Sequence, residues 1–553
     1  MQFKQTAVRL LLFLLPATAS AQTTYLPQGA RENDLLERME IRAGTDSILN
    51  FSKTKPFSRR QFIPVIERLS NSSTLTAVDR FNAERALMNS EEWTTRTFSS
   101  RKPFLKNFYR TPANLYEVNT PDFFLSVNPV FQYYVGKEGN NDEHIFLNTR
   151  GAVLRGRIAS KIGFAAYLTD NQERDARYVQ DWVRERRAVP GEGFYKDFKT
   201  TGYDYFDARG YITFNAAKYI DIQFGYDKNF IGNGYRSLFL SDFSSPYLFL
   251  KLNTRIWKFN YQNLFIELNS AQRLNADQLL PKKYAAIHHL DIGITKWLNV
   301  GLFEAIVFGR SNHFEFGYLN PVIFYRSIEQ QNGSFDNSVA GLDAKANVAR
   351  HFQFYGQFLL DEFNLTEIRR GSGWWGNKYG IQLGAKYIDA FGVRNLDLQV
   401  ETNRVRPFTY SHNDSVANYT HYNQPLAHPL GANFQEVIGI ARYQPAPRWY
   451  VLGKLFYYMQ GRDTGAVSNG SNIFLPNVVP YRVKDFGYDV GAGVRTNTGQ
   501  ASLLVSYEWK PNFFIEVNGV YHAQGATSVG PAEHSFIIYA GVRWNMHRRD
   551  FEF

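Results

Sequence analysis

The chain has 553 residues, no cysteine and a formal net charge of +11 at pH 7. Without thiols it has no disulfide staples, no thiolate metal sites and no thiol catalysis. Phe, Tyr and Trp make up 16% of it while mean hydropathy is negative, so the rings need either a large soluble core or a wall whose side chains alternate between lipid and water.

In chain order, MQFKQTAVRLLLFLLPATASAQ has the plan of a secretory signal peptide over residues 1–21. Lys4 and Arg9 form the positive start, Leu10 to Leu15 the short apolar core, and Ala19-Ser20-Ala21 the cleavage site. Gln22 follows in place of cysteine, which excludes a lipoprotein anchor, and no later run holds eighteen apolar residues as a helical span requires. Residues 22–118 read as a mainly helical domain, periplasmic or at the mouth of a barrel. RENDLLERMEIRA (31–43), RRQFIPVIERL (59–69) and LTAVDRFNAERALM (75–88) are short amphipathic helices with partial apolar stripes. Residues 101–121 connect this domain to a first strand beginning near Asp122.

From residue 119 to residue 553 the period changes to two. Ile220, Ile222, Phe224 and Tyr226 oppose Asp221, Gln223 and Asp227, and Phe352, Phe354 and Phe358 oppose Gln353, Tyr355 and Gln357. Near the end, Ile515, Val517 and Tyr521 oppose Glu516, Asn518 and His522, and Phe536, Ile538 and Trp544 oppose Tyr539 and Arg543. Strands of this kind in hydrocarbon must close on themselves, because an open edge leaves peptide groups unpaired. The fold class is therefore an all-β transmembrane barrel of the outer membrane. At about 24 residues per strand with its share of loop, it has roughly 18 antiparallel strands. Phe553 ends the chain after an alternating aromatic strand, as expected of an inserted outer-membrane barrel. Arg543, Glu516 and Glu508 are expected to line the lumen, and Trp257 and Trp544 to sit in interfacial belts.

Long polar connections around 170–204, 269–286, 312–339, 402–433 and 463–486 supply the extracellular surface. The arginines of DNQERDARYVQDWVRERRAVPGEG (170–192) are balanced by acids and do not form the positive track that nucleic acid requires. YLNPVIFYRSIEQQNGSFDNS (318–338) offers Tyr325, Arg326 and Glu329 as glycan-binding candidates. RPFTYSHNDSVANYTHYNQPLAHPLGANFQE (406–436) offers Tyr419, Tyr422 and Asn423. His412, His421 and His428 in that stretch have no spacing that prescribes a metal site. In FIGNGYRSLFLSDFSSPYLFL (230–250), Gly232-Asn233-Gly234 permits a tight turn. SLFLSDF there is too short to span and is expected to fold against the lumen, with Arg236 and Asp242 as a structural ion pair. No phosphate-binding GxxxxGK[ST], HExxH or GxSxG pattern occurs, and the acidic pairs Asp361/Glu362 and Glu508/Glu516 do not specify acid/base geometry. A noncatalytic protein without cofactor is expected.

Four stretches, 225–261, NPVIFYRSIEQ (320–330), YGQFLLDEF (355–363) and NYTHYNQPLAHPLGANFQE (418–436), resemble the Wzi-like outer-membrane proteins of the Bacteroidetes type. That group includes capsule assembly proteins and gliding-motility proteins of the RemB kind. The resemblance covers most of the mature chain. It implies an 18-stranded barrel with an attached helical region that binds or organises surface polysaccharide for capsule assembly or attachment. Its partners would be surface polysaccharide, outer-membrane lipid and lipopolysaccharide, and envelope proteins, with no nucleic acid. Because the words lie closer to the Bacteroidetes branch, a part in a gliding-motility or surface-adhesion apparatus is the leading alternative. A diffusion porin is a further one.

Overall fold

A computed structural model describes residues 23–553 apart from 74, 140, 271–279, 311–312, 466 and 527–528. The signal peptide expected over 1–21 lies outside the described residues. Eighteen strands form the wall. The first nine are β1 Phe123–Glu138, β2 His144–Ile158, β3 Ile162–Arg174, β4 Gly202–Ala217, β5 Ile220–Asp227, β6 Tyr247–Ile256, β7 Phe259–Asn269, β8 Lys282–Gly293 and β9 Leu298–Phe308. The second nine are β10 Asn337–Val348, β11 Phe352–Glu362, β12 Lys378–Tyr387, β13 Leu396–Val405, β14 Phe434–Tyr443, β15 Trp449–Arg462, β16 Val494–Lys510, β17 Phe513–Ala526 and β18 Val529–Trp544.

Each strand pairs antiparallel with its neighbours, and β18 closes on β1 from Ile537↔Glu138 to Trp544↔Phe131. The short strand Tyr116–Asn119 continues that seam on β1, from Tyr116↔Val127 to Asn119↔Phe124. Closure leaves no open sheet edge along the wall, the condition hydrocarbon imposes. Along β17, Phe514, Glu516, Asn518, Val520 and His522 are buried while Ile515, Val517 and Tyr521 are exposed to the outside, so the period-two reading holds at side-chain level. Short turns such as 218–219, 257–258 and 511–512 lie at one end, with Trp257 and Trp509 beside them and exposed. This is the periplasmic end, and the long loops leave from the other. Among the described residues no helix is long and apolar enough to cross a membrane.

The N-terminal segment packs inside the periplasmic half of the barrel. Helices α1 Arg31–Ala43, α2 Arg59–Ser70 and α3 Ala77–Met88 bury Leu35, Leu36, Met39, Phe62, Ile63, Ile66, Ala83 and Leu87 against one another. Gly44 ends α1 in the left-handed conformation, and a reciprocal Thr76/Asp79 capping box starts α3. Ion pairs fix this plug to the wall. Lys345 reaches Glu40 at 2.5 Å, Lys386 reaches Glu37 at 2.8 Å, and Lys53 lies between Asp291 (3.1 Å) and Asp343. Arg31 and Arg85 share Glu508 at 3.6 and 2.9 Å. Charge pairs buried this deeply are costly to leave half-made, so they define one seat for the plug.

The chain terminus follows the last strand, as read from the sequence, but takes an inward course. The last strand ends at Trp544, and residues 545–553 turn up inside the lumen instead of continuing the lipid-facing strand. Arg549 pairs with Glu173, Lys454 with Asp550 (2.5 Å) and Glu552, and Gln500 donates to the Phe551 carbonyl at 2.9 Å. Phe553 is buried beside Tyr178, Trp182 and Phe243. The physical reason lies in His547-Arg548-Arg549-Asp550, a run too polar for the lipid face and well matched to acids on the inner wall.

Candidate functional site

The outer half of the lumen is closed by connections that fold inward. In the β5–β6 connection, residues 228–246, Leu238, Phe239 and Leu240 are fully buried and pack with Tyr247, Phe249, Tyr410, Tyr419 and Leu426. Wall side chains hold this lid by its backbone: Gln357 accepts the Leu238 N–H at 2.8 Å and donates to the Ile231 carbonyl at 3.0 Å, and Gln382 donates to the Arg236 carbonyl at 3.0 Å. Glu401 on β13 accepts the backbone N–H groups of Tyr235 (2.7 Å) and Arg236 (3.0 Å), and the Tyr355 hydroxyl donates to it at 2.8 Å. Gly234 is required there, since a side chain would meet the Glu401 and Gln382 oxygens at 2.6 and 2.8 Å.

Arg236 does not pair with Asp242. Its guanidinium turns down into the lumen, 3.4 Å from Glu436, donates to the Glu552 carbonyl, and lies over the rings of Tyr235 and Phe456. A fully buried guanidinium needs partners at its own depth, and wall glutamate and tail supply them, while Asp242 is half-buried higher in the lid.

The region 406–433 completes the lid. Tyr419 is 1% exposed and donates to the Phe239 carbonyl at 2.8 Å. Tyr422 and Asn423 are half-buried at the left-handed tip of a small hairpin, Thr420–His421 with Gln424–Pro425. Each histidine has its own set of partners. His421 Nδ1 accepts the Asn269 N–H (3.1 Å), which leaves Nε2 to donate to the Pro246 carbonyl (3.1 Å). Burial pushes this imidazole down to about 4. His428 contacts Glu436 at 2.7 Å, yet burial still lowers it. Helix α4, Arg177–Arg186, covers the tail's end, with Val179 and Val183 buried beneath it. Between plug, tail and wall remains a chamber of about 600 Å³, whose mixed lining includes the charged Arg31, Arg209, Arg543, Arg548, Glu192 and Asp550.

Plug below and lid above leave the outer rim as the surface available to a large ligand. Tyr325 is fully buried and Glu329 nearly so, so of the three candidates in that connection Arg326 alone presents its side chain. Tyr419 is likewise out of reach of a ligand, while Tyr422 and Asn423 stay partly accessible.

Sequence reasoning missed the stretch GSGWWGN, residues 371–377. It follows helix α6, Leu365–Arg370, which Asn364 caps by accepting the Thr366 N–H at 3.0 Å. The stretch zips to a second loop: Trp375 N–H donates to Asp485 O at 3.0 Å, Gly487 N–H to Ser372 O at 3.0 Å, and Tyr488 N–H to Gly373 O at 2.8 Å. The half-buried Trp374 and Trp375 rings lie 5.8 Å apart, and the Arg482 guanidinium covers Trp375 at 4.2 Å. Phe363, Val483 and Phe486 stand exposed on the same two loops. Flat rings beside guanidinium donors can pack the C–H face of a sugar while hydrogen-bonding its hydroxyls or carboxylates. Tryptophan also serves membrane interfaces, so only the doublet between glycines sets this stretch apart in the sequence.

A closed 18-strand barrel with an apolar outer face, aromatic belts and a polar filled lumen is an outer-membrane β-barrel. No family model matches the chain, and no curated protein matches it by sequence. Among solved structures it is similar to Wzi of Escherichia coli, described as an outer-membrane protein involved in group 1 capsule assembly and a carbohydrate-binding β-barrel. The two share 14% identity at a TM-score of 0.58, over 94% of this chain and 99% of that one. It is also similar to OprD of Pseudomonas aeruginosa (12% identity, 75% and 94% of the chains) and OccAB2 of Acinetobacter baumannii (10%, 76% and 98%), both at a TM-score of 0.42. Identities this low establish the fold and nothing narrower, and neither sequence comparison reaches the gliding-motility proteins or the Bacteroidetes branch.

Proposed function

We propose that this barrel is a noncatalytic binder and organiser of surface polysaccharide that works from its outer rim. The observation that carries the reading is the filling of the lumen by plug, lid and tail. A barrel closed in this way has little use for its bore and presents to a large ligand its rim, where the half-buried Trp374 and Trp375 stand with the exposed Phe363, Val483 and Phe486. The likeness in fold to a carbohydrate-binding barrel of capsule assembly and the four sequence stretches point the same way. Tyr422 and Asn423 are accessory positions for the glycan, while Arg326, held on the barrel's outer flank by Glu304 and Glu329, is set aside, and lipopolysaccharide and envelope proteins are its surroundings. The same filling disfavours a diffusion porin.

A deletion strain assayed jointly for retained surface polysaccharide and for movement tests this reading. Loss of cell-attached polysaccharide is expected. Unaltered polysaccharide with lost motility would replace it with a role in a gliding or surface-adhesion apparatus.

A further inference from the structure

The outer face of β7, β8 and β9 is not apolar throughout. Register aligns Asn263, His288 and Glu304 in one row. That row lies midway up the wall, above the rows of Phe259 with Ile292 and of Tyr261 with Leu290, and below those of Phe265 with Ala286 and of Tyr284 with Phe308. An imidazole and a carboxylate facing out at this height would meet hydrocarbon.

They are covered by the connection between β9 and β10, which folds down the outside of the barrel. Tyr318, Tyr325 and Ile328 bury themselves against Phe265, Tyr284, Ala286, Ile306 and Phe308, all outward side chains of the wall. Helix α5, Tyr325–Asn332, has no side-chain cap of its own. Glu304 supplies one from the wall, accepting the N–H groups of Tyr325 (3.0 Å) and Arg326 (3.3 Å). The Tyr325 ring lies 4.0 Å from that of His288, and Tyr261 donates its hydroxyl to the Pro321 carbonyl at 2.5 Å. At the upper root, Arg310 and the Tyr318 hydroxyl hold Asp336 at 2.7 Å.

The free side of this strap is also ordered by height. Its low tip, near Tyr261, shows Val322 and Phe324, which are 83% and 63% exposed, with Phe316 and Phe335 exposed higher up. The charge on Arg326 is met by Glu329 at 2.6 Å. Gln330, Gln331 and Asn332, all exposed, lie toward the outer rim, where α5 returns to β10.

We propose that residues 313–336 form an external strap sunk into the outer leaflet, with lipid acyl chains as the partner of Val322 and Phe324 and lipid headgroups as the partner of Gln330 to Asn332. Continuity with the lipid-facing belt carries the assignment: the strap occupies the height of the belt, covers the polar gap in it, and replaces that gap with apolar side chains. The inference concerns the membrane-facing flank and is independent of the glycan reading.

The cysteine-free chain makes the test clean. Single variants Val322→Cys, Phe316→Cys, Gln331→Cys, the wall control Leu503→Cys and the loop control Arg184→Cys are spin-labelled in the full-length barrel in liposomes, with folding checked by heat-modifiable migration. Collision with oxygen and with a water-soluble nickel chelate is then measured. The expected result is that Val322→Cys matches Leu503→Cys, oxygen-accessible and nickel-excluded, with Gln331→Cys intermediate. Nickel access at Val322→Cys equal to that at Arg184→Cys would overturn the proposal, placing the strap in water. Exclusion of both reagents would also overturn it, because a protein would then cover the strap. Phe316→Cys decides if Val322→Cys fails to fold.

Discussion

Two outer connections of similar composition go opposite ways. Residues 228–246 fold into the bore and residues 313–336 fold down the outside, although both mix glycine, aromatic and polar residues. Each is hung by two backbone N–H groups on one wall glutamate, and the difference is which face that glutamate occupies. Glu401 on β13 points inward and draws Tyr235 and Arg236 into the lumen. Glu304 on β9 points outward and draws Tyr325 and Arg326 onto the lipid side. Side-chain parity along a strand, a one-residue matter, thus sets which side each glutamate anchor serves, beside the inward Gln357 and Gln382 for the lid and the outward apolar packing for the strap.

The largest way to break the comparison is Glu401→Ala. It leaves two buried N–H groups and the Tyr355 hydroxyl without their acceptor, and is expected to cost on the order of 3–5 kcal/mol. Hydrogen exchange should rise across 231–240 while α5 stays protected. A second effect comes from acid. His421 falls from the ordinary 6.5 to about 4 on folding, so the unfolded lid binds more protons than the folded one between those values. Stability should therefore drop as pH falls from 6.5 to 4 and level off below, by on the order of 3 kcal/mol. Proteolysis of 406–433 against pH measures this, and His421→Gln should remove the His421 contribution to it.

Third, Glu304→Ala removes a helix cap and is expected to cost about 1 kcal/mol, freeing exchange in α5 without change in 231–240. A matched response of both loops to either glutamate variant would dissolve the distinction. The smallest effect on stability is expected from the double variant Trp374→Ala/Trp375→Ala, within about 1 kcal/mol because both rings are half-buried on loops. Its effect should fall on ligand binding.

The sequence reveals the wall because alternation recurs along strands such as β5, β11, β17 and β18, and it reveals the plug helices through the partial apolar stripes of α1 and α2 and the capping box of α3. It places the first strand one residue from where it begins and turns SLFLSDF correctly against the lumen. Destinations set by distant partners were not legible. Spacing pairs Arg236 with Asp242, six residues on, whereas its partners Glu436 and Glu552 lie on β14 and in the tail. Tyr325 and Tyr419 look like glycan platforms as free rings, but each is consumed by packing, against His288 and against the lid. The seat of Phe553 in the lumen depends on Arg549 and Asp550 finding partners on distant strands.

The account's central claim is tested most directly by binding of purified cell-surface polysaccharide to the reconstituted full-length barrel and to the Trp374→Ala/Trp375→Ala variant. It predicts saturable binding by the parent and a loss of about tenfold or more in the variant, equivalent to roughly 1.4 kcal/mol, with folding unchanged. No binding by the parent, or equal binding by both proteins, would contradict it.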